Sequence, residues 1–192
     1  MKKSILYLIL ILCSNSIFPN GVAKETLAVS AVKVESITSN GKYLSKFISL
    51  FDAYCYQHKS NEEVEKIIKR EGTFAPHQEY KNTFLHSYME VDYALTLEER
   101  GECTVDVSLV YKDDVLFTEK EIIKAIENLT GFFIEREDIE RSGIKNTTNV
   151  LVRKTTLRNK TDSDFIVLSY PLDNPDKYYM YVSYYFSSLI KK

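Results

Sequence analysis

Two cysteines restrict the fold more than any other feature of this sequence, because each lies in a segment with a different hydrophobic pattern. Cys55 lies in the segment 43–57, YLSKFISLFDAYCYQ, where apolar residues recur at helical spacing. Cys103 begins an alternation of apolar and polar residues that continues to Tyr111 and is typical of a half-buried strand. A bond between the two sulfur atoms would therefore attach a helix to a sheet.

The N-terminal segment predicts export. Residues 1–3 carry two lysines, residues 5–12 (ILYLILIL) form a short apolar run, and Gly21 and Ala23 are small residues in the positions that precede a cleavage site. The run is shorter than the roughly 20 residues that a membrane-spanning helix needs. We therefore interpret residues 1–23 as a signal peptide, with a membrane anchor as the alternative. The mature protein is then periplasmic or secreted, and it meets a membrane only through this peptide.

Cleavage of the signal peptide would remove Cys13 and leave Cys55 and Cys103. An even pair of cysteines in an oxidising compartment predicts a disulfide, with two buried free thiols as the alternative. In the chain-entropy model, closing a loop of this length stabilises the fold by about 4 kcal/mol.

Capping signals and alternation predict the remaining elements. A second helix follows the capping box Ser60–Glu63 and ends at Gly72, and a third follows Thr118–Glu121 and ends at Gly131. Strands are predicted over 89–97, 103–111, 148–157, 164–170 and 178–187, with a short strand at 132–134 and a loop or brief helix over 135–147.

The order of these elements predicts an α+β fold. We expect a single domain over residues 41–192, preceded by a lead-in over 24–40. In it, a mainly antiparallel sheet of about five strands carries two to three helices on one face. Apolar residues at 44% and charged residues at 27% are typical of a globular protein and indicate neither disorder nor a bundle of membrane helices.

Motifs for catalysis are missing from the sequence. It contains neither a Gly-x-Ser-x-Gly nucleophile motif nor a glycine-rich phosphate loop. Cys55 and His58 have a spacing that suits a metal or a thiolate–imidazole pair, but Cys103 is the better partner for Cys55. We therefore predict no catalytic residue, no cofactor and no metal.

Charge and tyrosine content indicate a surface for a protein partner. Residues 60–140 carry 20 acidic against 9 basic residues, whereas residues 141–160 carry six basic residues and no acid. The basic segment has no interleaved aromatic residues, so we predict no nucleic-acid binding. In the last strand, alternation places Tyr179, Tyr181 and Tyr185 on the face opposite the core. These tyrosines are the predicted partner-binding residues, with a face covered by other elements as the alternative.

Three features together resemble a family of small exported proteins and lipoproteins of Gram-negative bacteria with no assigned function. They are the helix end at residues 51–55 (FDAYC), the short helix closed by Gly72, and the strand entry at residues 101–105 (GECTV). The resemblance covers roughly residues 40–130 and implies a periplasmic domain with a disulfide. Leu12 before Cys13 departs from the lipobox of the lipoprotein members, which argues against a lipid anchor.

These observations favour an exported, periplasmic, non-catalytic binding protein, such as an immunity or inhibitor protein that contacts a protein partner. The alternatives are an envelope hydrolase with an unrecognised site and an accessory factor of an envelope or secretion complex.

Overall fold

A computed structural model of the protein describes residues 39–58, 60–98, 101–142, 150–160 and 163–186. The predicted signal peptide, and the predicted lead-in up to residue 38, lie outside these residues. The described chain has the predicted α+β fold with three helices. Its main sheet is antiparallel and has eight strands, so the prediction of about five strands was too low.

The three helices agree with the sequence patterns. Helix α1 (Ser39–Leu50) begins before the predicted Tyr43 and continues into a π-helical turn (Phe51–Tyr56). Helices α2 (Asn61–Glu71) and α3 (Glu119–Thr130) follow the two predicted caps.

The caps of α2 and α3 differ in one contact. The Ser60 hydroxyl accepts a hydrogen bond from the Glu63 amide at 3.3 Å. The Glu63 carboxylate does not return to Ser60 as predicted and instead lies 3.3 Å from Nδ1 of His58. At α3 both halves of the capping box form between Thr118 and Glu121.

The main sheet consists of two antiparallel meanders that meet in its middle. The strands are β1 (Ala75–Pro76), β2 (Thr83–Tyr88), β3 (Val91–Glu98), β4 (Glu102–Ser108), β5 (Val110–Tyr111), β6 (Asp114–Val115), β7 (Phe133–Ser142), β8 (Val150–Arg158), β9 (Phe165–Pro171) and β10 (Tyr179–Tyr185). Their order in the main sheet is β1-β2-β3-β4-β10-β9-β8-β7, while β5 and β6 form a separate small hairpin.

Two segments of the sheet correct the sequence analysis. Met89 and Glu90, predicted within one strand, instead form a turn with positive φ values of 50° and 65° and join β2 to β3. Residues 135–142, predicted as a loop or brief helix, belong to the edge strand β7. Almost every side chain of β7 is exposed on either face, so the segment lacks the alternation that marks a strand.

The predicted disulfide between Cys55 and Cys103 is present, with a Cα–Cα distance of 5.3 Å. Both residues are fully buried. Cys103 pairs with Leu97 of β3 and with Tyr184 of β10, so it lies on the inward face of the sheet. The disulfide therefore joins the end of the first helix to the middle of the sheet.

The helices pack against that inward face. Phe47 of α1 contacts Tyr93 of β3, with ring centroids 6.5 Å apart, and Tyr56 contacts Tyr184 of β10 at 5.6 Å. Alternation along each strand places the remaining side chains on the opposite face, which we call the open face.

Candidate functional site

Strand register places a row of hydroxyl side chains across the open face. Thr83 of β2 pairs with Thr96 of β3, Thr96 pairs with Thr104 of β4, and Thr104 pairs with Ser183 of β10. The hydroxyls are hydrogen-bonded in pairs, with 3.1 Å between those of Thr83 and Thr96 and 2.7 Å between those of Thr104 and Ser183. We call these four residues the hydroxyl row.

Longer side chains flank the hydroxyl row on both sides. Glu98, Glu102 and Tyr185 pair across β3, β4 and β10 on one side. Asp106 and Tyr181 pair across β4 and β10 on the other side. Since short side chains lie between longer ones, the open face carries a groove that crosses the strands.

The groove consists of two adjoining hollows with volumes of about 660 Å³ and 690 Å³. Thr96, Glu98, Asp106 and Tyr179 line both of them. The first hollow lies over Thr96, Thr104 and Ser183 of the hydroxyl row, and the second extends over Thr83 of β2 towards the connection at residues 77–82. The structure therefore has a continuous surface depression large enough for several side chains of a partner.

Glu102 lines the first hollow and is held in a fixed position by Tyr185. The Tyr185 hydroxyl donates to Oε1 of Glu102 at 2.8 Å, and the Thr104 hydroxyl donates to the same oxygen at 3.2 Å. The Tyr185 ring stacks on Phe165 with ring centroids 4.5 Å apart. Burial, followed by the hydrogen bond to Glu102, raises the pKa of Tyr185 above its usual range.

Asp106 differs from the other acids of the groove because its carboxylate is half-buried and has neither a hydrogen-bond donor nor a cation beside it among the described residues. Its neighbours on the two adjacent strands are Ala94 and Tyr181, and its carboxylate accepts no hydrogen bond and meets no cation among the residues that the structure describes. Burial raises the pKa of the Asp106 carboxyl to about 7. Desolvation without a donor disfavours the charged form, so a ligand that supplies a donor or a cation would relieve this cost.

The three predicted tyrosines all lie on the open face, but their surroundings differ. Tyr179 is 64% exposed and lines both hollows. Tyr181 is half-buried beside Asp106 and lines the first hollow. Tyr185 is half-buried and held by Glu102 and Phe165. Tyr179 and Tyr181 are therefore accessible from the groove, whereas Tyr185 lines neither hollow and belongs to the frame that holds Glu102.

The groove is acidic. Among the described residues that line it, five carry a carboxylate and Lys81 is the one lysine. The five are Glu79, Asp92, Glu98, Glu102 and Asp106. Such a surface favours an approaching positive charge.

Other candidate sites gain no support from the geometry. His58, considered as a partner of Cys55, lies beside Glu63, and Cys55 is in the disulfide. In the described ranges, no group of three or more His, Cys, Asp or Glu side chains is arranged to hold a metal ion. None of the helices in those ranges is long and apolar enough to cross a membrane.

The acids and hydroxyls of the groove were not predicted from the sequence, although the alternation in β4 contains a signal for them. Alternation in β4 puts Cys103, Val105 and Val107 inward, so Glu102, Thr104 and Asp106 must point outward. What alternation does not reveal is the neighbour across each strand, because that depends on β4 pairing with β10. Comparison of the chain with protein-family models, curated proteins and solved structures finds no match in any of the three.

Proposed function

We propose that this chain is an exported, non-catalytic binding protein that contacts a protein partner through the groove of the open face. The observation that carries the proposal is the groove itself, with exposed Tyr179 and half-buried, uncompensated Asp106 beside it. Tyrosines supply large contact areas in protein interfaces at a small entropic cost. A wide depression on a sheet face suits a partner's protruding segment better than a small substrate, which usually occupies an enclosed pocket.

The disulfide supports export to the periplasm. Buried disulfides persist in oxidising compartments and are rare in reducing ones. The bond between Cys55 and Cys103 is therefore consistent with residues 1–23 being a signal peptide.

An immunity or inhibitor protein fits this description, because such a protein acts by covering a surface of its target. An accessory factor of an envelope or secretion complex fits as well. Both require a docking face and neither requires catalytic groups, so the same experiment addresses both.

Site-specific photocrosslinking in periplasm of a Gram-negative host tests the proposal. A photoreactive phenylalanine replaces either Tyr179 on the open face or Ile139 of β7. Ile139 is also exposed, but it lies on the helix side of the sheet, because its strand neighbour Arg153 forms an ion pair with α3. We expect a discrete protein adduct from position 179 that is lost when Asp106→Asn is added, and none from position 139. Equal adducts from both positions, or none at 179, would refute contact through the open face.

A second candidate is an envelope hydrolase, and one observation favours it. Asp106 lies in a groove with a pKa raised to about 7, the range in which a carboxyl serves as a general acid or base. Purified protein incubated with isolated cell envelope would then release soluble fragments, and Asp106→Asn would abolish the release. If wild-type protein releases no fragments, the hydrolase is refuted and binding is the one candidate function that remains.

A further inference from the structure

We propose that the groove receives an extended, basic peptide segment of the partner, with lysine or arginine side chains reaching Asp106 and the tyrosines. This inference rests on the proposed function and deepens it by naming the chemistry of the partner's contact segment.

Charge complementarity is the first argument. Five carboxylates against one lysine line the groove among the described residues. The Glu102 carboxylate is hydrogen-bonded only to hydroxyls, from Tyr185 and Thr104, so its charge is solvated but not neutralised within the described part of the protein. An acidic partner would meet repulsion here, and a basic one attraction.

The environment of Asp106 is the second argument. Its carboxyl is half-buried between Ala94 and Tyr181, and no described residue bonds to it. A buried carboxylate without a partner is costly, whereas one paired with a hydrogen-bonded cation is compensated. An ammonium or guanidinium group entering the groove supplies the missing cation. The raised pKa of Asp106 has the same origin, since burial is its cause.

The tyrosines provide the third argument. Tyrosine rings attract cations above their faces, most strongly where water is partly excluded. Tyr179 and Tyr181 border the same hollow as Asp106. Elsewhere in this chain, cations already lie over aromatic rings, with the Lys112 Nζ 4.8 Å from the Tyr111 ring and the Arg158 guanidinium 5.3 Å from the Phe165 ring. A lysine or arginine beside Asp106 would have the same kind of contact.

The dimensions of the groove fix the form of the segment. The hydroxyl row crosses four strands, from Thr83 to Ser183, which corresponds to about 15 Å at the usual strand spacing. An extended peptide covers about 3.3 Å per residue, so about five residues span the row. Ser183 is fully buried, so the half-buried hydroxyls of Thr83, Thr96 and Thr104 are the ones that offer donors and acceptors to the peptide backbone.

Fluorescence anisotropy with the mature, disulfide-bonded protein tests this inference. The probe is a labelled peptide of about six alternating lysine and glycine residues, and a glutamate–glycine peptide of equal length is the control. We expect the lysine peptide to bind and the glutamate peptide not to bind. Asp106→Asn should weaken the lysine peptide about tenfold, the size expected when one close charge pair is removed.

Asp113→Asn is the matched control variant, because it removes one negative charge from the exposed turn between β5 and β6 and Asn accepts the positive φ of 68° there. It should leave the affinity unchanged. Tyr179→Ser should weaken the lysine peptide about threefold by removing a cation–π contact. Equal loss in Asp106→Asn and Asp113→Asn would show that only net charge matters and would overturn the inference.

The outcomes separate this inference from the proposed function. If the lysine peptide fails to bind while position 179 still crosslinks a partner, the basic segment is wrong and the docking face stands. If neither experiment gives a signal, the proposed function fails as well. A neutral oligosaccharide that displaces the lysine peptide, and that binds the wild-type protein and Asp106→Asn equally well, would also overturn the basic segment and indicate a glycan ligand.

Discussion

Asp106 shows how a single residue of the groove affects stability. Its folded pKa of about 7 lies above the ordinary value of 3.8, because burial disfavours the carboxylate. Between these values the folded state binds more protons than the unfolded state. The contribution of Asp106 to the free energy of unfolding therefore falls as pH rises from about 4 to about 7, and it stays low at higher pH.

Asp106→Asn should accordingly stabilise the protein at about pH 8 while it weakens binding of the basic peptide. The full shift corresponds to about 4 kcal/mol, but water reaches the carboxyl from the groove, so we expect a gain of about 2 kcal/mol. Urea denaturation at about pH 5 and about pH 8 measures it, with Asp113→Asn as control. A gain that is the same at both pH values would contradict the assignment to Asp106 titration.

Two tyrosines of β10 provide a matched pair of substitutions. Tyr185→Phe removes the hydroxyl that donates to Glu102 and should lower the free energy of unfolding by about 1.5 kcal/mol, as expected for a hydrogen bond to a charged group. Tyr179→Phe removes a hydroxyl from a side chain that is 64% exposed and should change it by less than about 0.5 kcal/mol. Denaturant titration of both variants checks this, and equal losses would contradict the distinction between frame and accessible surface.

At the level of the element, helices α2 and α3 differ in how their N-terminal caps are hydrogen-bonded. At α3 the Thr118 hydroxyl accepts from the Glu121 amide at 3.4 Å, while the Glu121 carboxylate accepts from the Thr118 amide at 2.7 Å. The Thr118 amide is the main reason that the pKa of Glu121 lies below its usual range. At α2 only the Ser60 hydroxyl takes part.

Thr118→Ala should therefore cost about 1 kcal/mol of unfolding free energy, as should Ser60→Ala, but only the α3 cap should depend on acid. Because the folded pKa of Glu121 is depressed, the box is fully formed above the ordinary glutamate pKa and its contribution is lost as pH falls through the folded value. Glu121→Gln should remove this acid dependence. Urea titrations between about pH 3 and about pH 7 of the wild-type and Glu121→Gln proteins test it, and a Glu121→Gln variant that loses as much stability in acid as the wild-type protein would contradict it.

The elements also show what the sequence could predict. Both caps, and the inward position of Cys103, are local consequences of residue type and spacing, so they could be predicted from the sequence. The turn at Met89–Glu90 was not, because neither residue type carries the Asn-Gly signal usual for positive φ in a hairpin. The edge strand β7 and the groove depend on which strands pair, and pairing is a property of the assembled sheet.

At the scale of the molecule, a helix followed by a four-stranded meander occurs twice. The first unit consists of α2 and β1–β4, the second of α3 and β7–β10, and they meet where β4 pairs with β10. Each helix starts after a hydroxyl cap and ends at a glycine with positive φ, Gly72 or Gly131. The groove crosses this junction on the open face, so the geometry of the site depends on how firmly the two meanders are held together.

The disulfide holds the junction from the inward face. The π-helical turn that carries Cys55 is bonded to Cys103 of β4, and its Tyr56 contacts Tyr184 of β10. Reduction, or the double variant Cys55→Ala with Cys103→Ala, should lower the free energy of unfolding by about 4 kcal/mol and the melting temperature by about 10 °C. Calorimetry of oxidised and reduced protein measures both quantities.

The same experiment separates the effect on the fold from the effect on the site. Because β4 and β10 are joined directly by their own hydrogen bonds, protein that is reduced yet still folded should keep the lysine-peptide affinity within about threefold. Loss of binding well below the melting temperature would mean instead that the first helix sets the spacing of the groove through the sheet. In that case the disulfide would be required for the partner-binding surface as well as for stability.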